Sequence, residues 1–546
     1  MNEITKTKDQ RPKPERITWL ILALVTIVVY FFGLNISLLG PDEPRYAQVA
    51  REMFLRADWV TPTLGGFDWF EKPALLYWLQ IFSYKIFGVS EFAARFGSAI
   101  FGLGTIFSLW ILGRFLATEH TEKEGEFENK EILLPSSVSS AAKNDFANWL
   151  ALIAASSIGL LAFSRGASFD IILTFPMTAA LVAFFIFDQS NKKSFTTYHL
   201  PLFTFYFFIG VALLAKGLVG IVFPFAIVAF YFILSRKLPG KTFIFSLFWG
   251  TILSLSVAAI WYVPMYLTNG WKFIDEFFVQ HHFARYASNK YQHPQPFWFF
   301  FLVLPLMTIP WLPFFAASIW NFFRIQDSGF RIQDSGFRIQ DSKLKAQSQE
   351  NSPRLRVSAF PLRLFAVSWL VVPLVFFSFS GSKLPGYILP ALPAALILTA
   401  EYVSGFVQKS KRRKIFVQLV AFAMFAVVAV LLQFFVVSQV PTETVKPLIE
   451  IAAANGYERE KVVNLNTISH NAEFYAAGRL VRTDDGKQRR FFDAAEIVVE
   501  MKREDAKSVL VLVPIQFLSQ LTESDLVETK VLSDNTELAI VSVKLK

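Results

Sequence analysis

Eleven apolar stretches recur along this chain of 546 residues, most of them close to the length that lets a helix cross a bilayer. They cover residues 17–39, 92–116, 147–163, 171–187, 198–215, 217–235, 243–266, 297–320, 364–380, 384–402 and 415–438. Each residue adds about 1.5 Å to a helix, so about 20 apolar residues match the hydrocarbon core. Backbone N–H and C=O groups in lipid must find partners within the segment, so apolar runs of this length read as helices. Composition agrees, because 53% hydrophobic and only 18% charged residues are too apolar for a soluble enzyme of this size. The expected fold is an all-α polytopic membrane domain over residues 1–440, with a small soluble α/β domain over 441–546.

An odd number of spans puts the two termini on opposite sides. Lys6, Lys8, Arg11, Lys13 and Arg16 precede the first run, and Lys192-Lys193, Arg236-Lys237 and Lys411–Lys414 fall between later ones. Basic loops stay in the cytoplasm, so the N-terminus is expected inside and the C-terminal domain outside, in a bacterial inner membrane. The first run is too long for a signal-peptide core and lacks a small-residue cleavage site, which makes it a retained anchor. Retained basic loops account for the net charge of +10, and no nucleic-acid partner is expected. The absence of cysteine excludes disulfides and thiolate metal sites.

Beyond about Pro441, Val462–Leu465, Val509–Val513 and Leu538–Val543 read as strands, and Asp493–Met501 and Ile515–Leu521 as helical. This part shows no nucleophile arrangement or phosphate loop, and reads as a structural or acceptor-orienting cover. Two cytoplasmic insertions carry no function: the acidic residues 118–145, and the low-complexity heptad repeat FRIQDSG-FRIQDSG-FRIQDSK at 323–343. Each heptad offers only Phe and Ile, and glycine interrupts helix.

Every unusual polar residue near a span lies on the predicted outer side. In the loop 40–90, Tyr46, Val49, Ala50, Met53, Phe54 and Ala57 recur at helical spacing, the pattern of a helix lying in the interface. Asp42, Glu43 and Arg45 stand at its start, where Asp42 can cap the helix, pair with Arg45 or act as a base. Glu71 and Lys72 return to the membrane edge after it. Asp170 either caps a helix, pairs with Arg165, or serves as a second acid, and an ionisable group at this depth costs about 2.5–3.5 kcal/mol. Lys216 is the one charge between Lys193 and Arg236. A lone lysine at a helix end can snorkel, or it can hold an anion. The loop 267–296 holds His281, His282, His293 and Arg285. Glu71 and His282 would supply two ligands of a divalent ion, where zinc takes three or four. In SGSKLPGYILPALPAAL, Pro385, Pro390 and Pro393 break helix beside Lys383 and Tyr387, and irregular backbone at this depth lines cavities.

Asp42-Glu-x-Arg-Tyr46 after the first span, followed by Glu71-Lys-Pro-x-Leu-x-Tyr-Trp78, resembles the bacterial lipid A aminoarabinose transferases. These are relatives of the protein O-mannosyltransferases within the GT-C class of membrane glycosyltransferases. The resemblance implies thirteen spans. It also implies a catalytic Asp42 with Glu43 beside it, and a second aspartate at Asp170. Arg45, Lys72 and Lys216 would bind the carrier phosphate, with Tyr387 close to it and Lys383 in the same cavity wall. His282 and Arg285 would approach the Glu71-Lys72 pair, although His281 stands where an acidic residue is expected. The implied reaction is inverting transfer of a sugar from polyprenyl (undecaprenyl) phosphate to lipid A or another envelope acceptor. No cofactor is implied beyond that divalent ion. A transporter or flippase of lipid-linked sugars is the alternative, but such proteins usually carry internal repeats and midplane charges, and neither is evident here. The sugar, whether aminoarabinose, mannose or another, is left open.

Overall fold

The computed structural model describes residues 14–127, 137–190, 195–284, 294–334 and 354–546. α1 (Pro14–Phe31) leads into α2 (Asp42–Leu55), a two-stranded hairpin of β1 (Thr63–Leu64) and β2 (Phe67–Asp68), and α3 (Leu75–Phe87). Then follow α4 (Glu91–Phe127), α5 (Ser137–Ala155), α6 (Ile158–Phe163), α7 (Phe169–Gln189), α8 (Phe195–Lys216), α9 (Val219–Ser235) and α10 (Lys241–Ile274). The membrane part closes with α11 (Phe299–Met307), α12 (Leu312–Asp334), α13 (Arg354–Ser378), a 3-10 turn Pro385–Ala391, α14 (Leu392–Val407) and α15 (Lys411–Val430).

Among the described residues, seven helical stretches are long and apolar enough to cross a membrane, and a bent pair, Phe299–Met307 with Leu312–Phe322, makes an eighth. Arg16–Phe31, Asp145–Ala155 and Val219–Ser235 are apolar but shorter. All eleven expected runs are therefore helical, three of them short of full length. Thirteen full-length spans are not found among the described residues.

Two runs depart from a single straight helix. The run expected at 147–163 ends at Ala155, where Ser156 and Ser157 turn their hydroxyls onto Leu152 and Ala154 carbonyls. The run at 297–320 bends by 118°. The two breaks meet: Ile158 N–H donates to the Ile309 carbonyl at 2.8 Å, and the Trp311 indole N–H to Ser156 Oγ at 3.1 Å. Each irregular backbone supplies partners the other lacks, as a low-dielectric surrounding demands.

The last span runs on to Val440 within α16 (Val437–Glu443), and the C-terminal part follows with α17 (Lys446–Ala454). It continues through β3 (Val462–Leu465), α18 (Ala472–Tyr475), β4 (Arg490–Phe491), α19 (Ala494–Arg503), β5 (Ser508–Pro514), α20 (Ser519–Thr522), β6 (Val527–Asp534) and β7 (Leu538–Leu545). The sheet order is β4-β3-β5-β7-β6, with β3 parallel to β4 and β5, and β7 antiparallel to β5 and β6. Alternation along β5 sends Val509, Val511 and Val513 to one apolar layer and Leu510 and Leu512 to the other. The expected architecture, a polytopic helical domain with a small α/β domain after it, is the one observed.

Candidate active site

The first loop folds as α2 with Tyr46, Val49, Ala50 and Met53 of the expected apolar face buried, Phe54 half-buried, and Ala57 exposed beyond the helix. Asp42 makes no capping bond. Its side chain is 53% exposed and 3.9 Å from the Arg45 guanidinium, which lies over the Trp69 ring at 5.3 Å. Glu43 faces the other way. It accepts from Leu39 N–H at 3.3 Å, Ala167 N–H at 2.7 Å and Arg95 at 2.7 and 3.0 Å. Burial pushes the Glu43 carboxyl up, but the Arg95 charge and these hydrogen bonds together bring it below the usual range. Arg95 further binds the carbonyls of Leu34, Ile36 and Ser37. Glu43 thus anchors α2 to the turn before α7, with its oxygens engaged by protein. The resemblance groups Glu43 with the catalytic Asp42; here both of its oxygens are already engaged by Arg95 and backbone N–H groups.

Asp170 lies in the first turn of α7, and the cap is Ser168, whose hydroxyl accepts from Asp170 N–H at 3.2 Å. The alternative pair with Arg165 is not formed. Arg165 donates to the carbonyls of Leu161 and Val29, while Asp170 Oδ1 pairs with Lys216 Nζ from the last turn of α8. Lys216 Nζ also sits 5.0 Å from the centre of the Tyr387 ring. Gly386 makes this packing possible, because a Cβ there would fall 1.8 Å from Asp170 Oδ2.

The two groups of charge adjoin through three rings. Phe169, next to Asp170, meets Tyr46 edge-on at 4.9 Å and Tyr77 at 5.4 Å. Burial raises both phenols well above their ordinary value, and the negative charges of Asp42 and Glu71 raise them further, against Arg45. Asp42, Arg45 and Glu71 are therefore all within electrostatic reach of Tyr46 and Tyr77. Lys72 follows Glu71 in a half-buried position. Phe169 thus joins the Asp42, Arg45 and Glu71 group around Tyr46 and Tyr77 to the Asp170–Lys216 pair beside Tyr387.

Lys383 serves a different purpose. The residue is 7% exposed, and its ammonium donates to the carbonyls of Ser380 at 2.7 Å and Gln295 at 3.1 Å. It pins the loop that carries Tyr387. The side chain of His282, and Arg285 altogether, lie outside the described residues. Among the described residues no three His, Asp or Glu side chains gather as a metal would require, and the His282 side chain expected to join Glu71 lies outside them.

Sequence reasoning missed Arg95, Phe169 and Gly386. Arg95 carried a readable signal, an arginine just inside an apolar run. The other two carried none, since a phenylalanine or glycine in such a run is ordinary.

No protein-family model matches the chain. Over 403 residues it is 30% identical to an undecaprenyl phosphate-alpha-4-amino-4-deoxy-L-arabinose arabinosyl transferase of Yersinia enterocolitica, covering 72% of this chain and 60% of that protein. A protein of the same name from Shewanella sediminis is 29% identical, with 72% and 61% covered. The chain thus spans about three fifths of the length of these curated relatives. Its fold matches crystal structures of ArnT from Cupriavidus metallidurans. For the apo state the TM-score is 0.71, at 19% identity and 97% coverage of this chain and 98% of that one. For the form bound to undecaprenyl phosphate it is 0.67, at 20% identity and 96% and 97% coverage. By sequence over nearly three quarters of its length and by fold over almost all of it, this multi-pass membrane protein is similar to the bacterial undecaprenyl phosphate-aminoarabinose arabinosyl transferases.

Proposed function

We propose that the protein is a glycosyltransferase that moves a sugar from an undecaprenyl phosphate carrier to lipid A on the outer face of the inner membrane. In this reading the N-terminus is cytoplasmic and the C-terminal domain extracytoplasmic. The observation that carries it is the meeting of Asp42–Arg45 with Asp170–Lys216–Tyr387 across Phe169. A lipid-linked donor presents an apolar tail, a phosphodiester and a sugar in sequence. Lys216, Lys72 and Arg45 would hold the phosphate, and the aromatic wall would take the first isoprene units. The acceptor oxygen forms its bond to the anomeric carbon as the carbon–oxygen bond to the carrier phosphate breaks, and the electron pair leaves on that phosphate. Cations near the phosphate stabilise the charge that develops there. A hydroxyl acceptor passes its proton to Asp42, whereas a phosphate acceptor brings none, and Asp42 then orients and stabilises.

The test is mass spectrometry of lipid A from cells expressing the wild type or Asp42→Asn. A glycosyl mass increment made by the wild type and absent in a folded, membrane-inserted Asp42→Asn supports the reading. An increment of the same size in both removes Asp42 from the chemistry. No increment with either, with donor present, overturns the transferase assignment to lipid A.

A further inference from the structure

Asp42 begins α2 and Lys72 follows the β1–β2 hairpin, so whatever fixes helix against hairpin also fixes the separation of these two residues. The two-residue hairpin turn has Gly65 at φ +62° and Gly66 at φ +83°, the backbone form that matches strand twist. Both glycine N–H groups donate to Glu52 of α2, Gly65 at 2.7 Å and Gly66 at 3.2 Å. The same carboxylate accepts from the Thr63 hydroxyl at 2.7 Å and from Gln48 Nε2 at 3.0 Å. Arg56, just past α2, adds a bond to Thr63 Oγ1 at 2.7 Å. Glu52 is therefore the clasp between helix and hairpin. Pairing continues beyond β2, where Trp69 N–H donates to the Pro62 carbonyl at 3.0 Å. Trp69 meets α2 again under Arg45, and Phe70, Glu71 and Lys72 follow it.

The C-terminal domain fastens both pieces through α18. Gly65 leaves no room for a Cβ against Arg482, which forms a buried ion pair with Glu473. The Phe474 carbonyl accepts from Arg51 at 2.9 Å, and the Tyr475 hydroxyl accepts from Leu38 N–H at 2.8 Å. Tyr475 in turn donates to Glu91 at 3.1 Å, and Lys446 pairs with Glu91 at 2.7 Å. This clamp holds α2 near both its ends and the hairpin at its turn, while Glu52 ties helix and hairpin to each other.

We propose that Glu52 is a positioning residue of the transfer reaction, holding Lys72 at the separation from Asp42 that the transition state requires. This rests on the transferase reading above, in which Lys72 meets the carrier phosphate and Asp42 the acceptor. The bond made and the bond broken share one anomeric carbon, so the groups serving them must keep a fixed spacing although they come from different segments. Glu52 acts through those groups, because both of its oxygens are engaged by helix and hairpin donors.

The test compares full-length wild type, Glu52→Ala, Glu52→Gln and Val511→Ala in proteoliposomes, with undecaprenyl phosphate-linked aminoarabinose and purified lipid A. Val511→Ala weakens the C-terminal core without touching the hairpin contacts, and so reports what lost stability alone does. Glu52→Ala should lower kcat about tenfold or more. Glu52→Gln, which keeps an oxygen for the glycine N–H groups, should recover most of that loss, and Val511→Ala should lower the thermal midpoint with kcat within twofold of wild type. A wild-type kcat in Glu52→Ala overturns the inference, as does an equal loss of kcat in Val511→Ala. Hydrogen exchange needs no substrate and reads the clasp itself. Amides at 65–72 should exchange about tenfold faster in Glu52→Ala, the equivalent of one lost hydrogen bond to a charged group, and unchanged exchange there also overturns the inference. Transfer by the wild type tests the proposed function separately. A wild type that transfers beside an unaffected Glu52→Ala sinks this inference alone.

Discussion

Gly386→Ala is the smallest change that reaches the centre of the candidate site. The backbone there does not require glycine, since Gly386 is not among the residues at positive φ. The added methyl would fall 1.8 Å from Asp170 Oδ2, 2.6 Å from Asp170 Cγ and 2.8 Å from Phe163 Cε1. The carboxylate or the turn must retreat by roughly 1.5 Å before the contact is ordinary. The Asp170 carboxylate is held by Lys216 and accepts from the Ser168 hydroxyl at 3.3 Å, so it cannot swing away without breaking one of them. A displacement of about 1 Å in a positioned group costs on the order of 10²-fold in rate. Gly405→Ala is the matched control, because a Cβ there meets nothing within 4 Å. Steady-state transfer in proteoliposomes, alongside thermal melting in detergent, is the assay. Gly386→Ala should lose about 10²-fold in kcat, while Gly405→Ala stays within twofold. Full activity in Gly386→Ala would refute the claim that transfer depends on where Asp170 sits.

Other expectations follow from neighbouring contacts. Lys216→Ala removes the described cation paired with Asp170 and should abolish transfer while the protein still inserts, as radiolabelled donor turnover and membrane fractionation would reveal. Glu43→Gln weakens the link to Arg95, and breaking a buried pair costs about 3–5 kcal/mol, so its signature is a large fall in melting temperature. A stable Glu43→Gln with lost kcat would instead return Glu43 to the chemistry. Burial and the Arg45 charge hold the His470 imidazole below its ordinary value, against Glu473 and Asp42. The unfolded chain therefore takes up this proton first as pH falls below about 6.5, and stability drops until the folded form is protonated too. Wild type should lose more melting temperature than His470→Gln between neutral and mildly acidic pH, and equal losses would count against it. Deleting residues 323–343 should leave transfer within twofold.

Much of this fold was legible because lipid permits so few backbone forms. A run of about 20 apolar residues has one solution, a helix, and seven of the eleven runs form it at full length, one as a bent pair and three as shorter helices. The break at Ser156 and Ser157 was hidden, because serines are tolerated inside membrane helices and only the facing bend at Ile309 shows why the helix stops. In the soluble domain Val462–Leu465 and the strands near 509 and 538 were clear from β-branched runs. β6 (Val527–Asp534) was missed because its sequence alternates polar and apolar weakly at a sheet edge. The charges of the site were legible one by one, since each is costly where it stands. Their partners were not: Glu43 with Arg95, and Asp170 with Lys216 rather than Arg165, are pairings across distant segments that no local periodicity encodes.

The clamp between Leu38 and Tyr475 joins residues 437 positions apart, and that between Arg51 and Phe474 joins residues 423 apart. The first loop is therefore synthesised well before the residues that fasten it. A nascent chain can therefore thread every one of its spans and still possess an unfinished first loop. The arrival of Phe474 and Tyr475 then becomes the step that commits the whole molecule. Chains truncated during synthesis would accumulate as inserted but unclasped products, open to proteolysis at the very loop that carries Asp42.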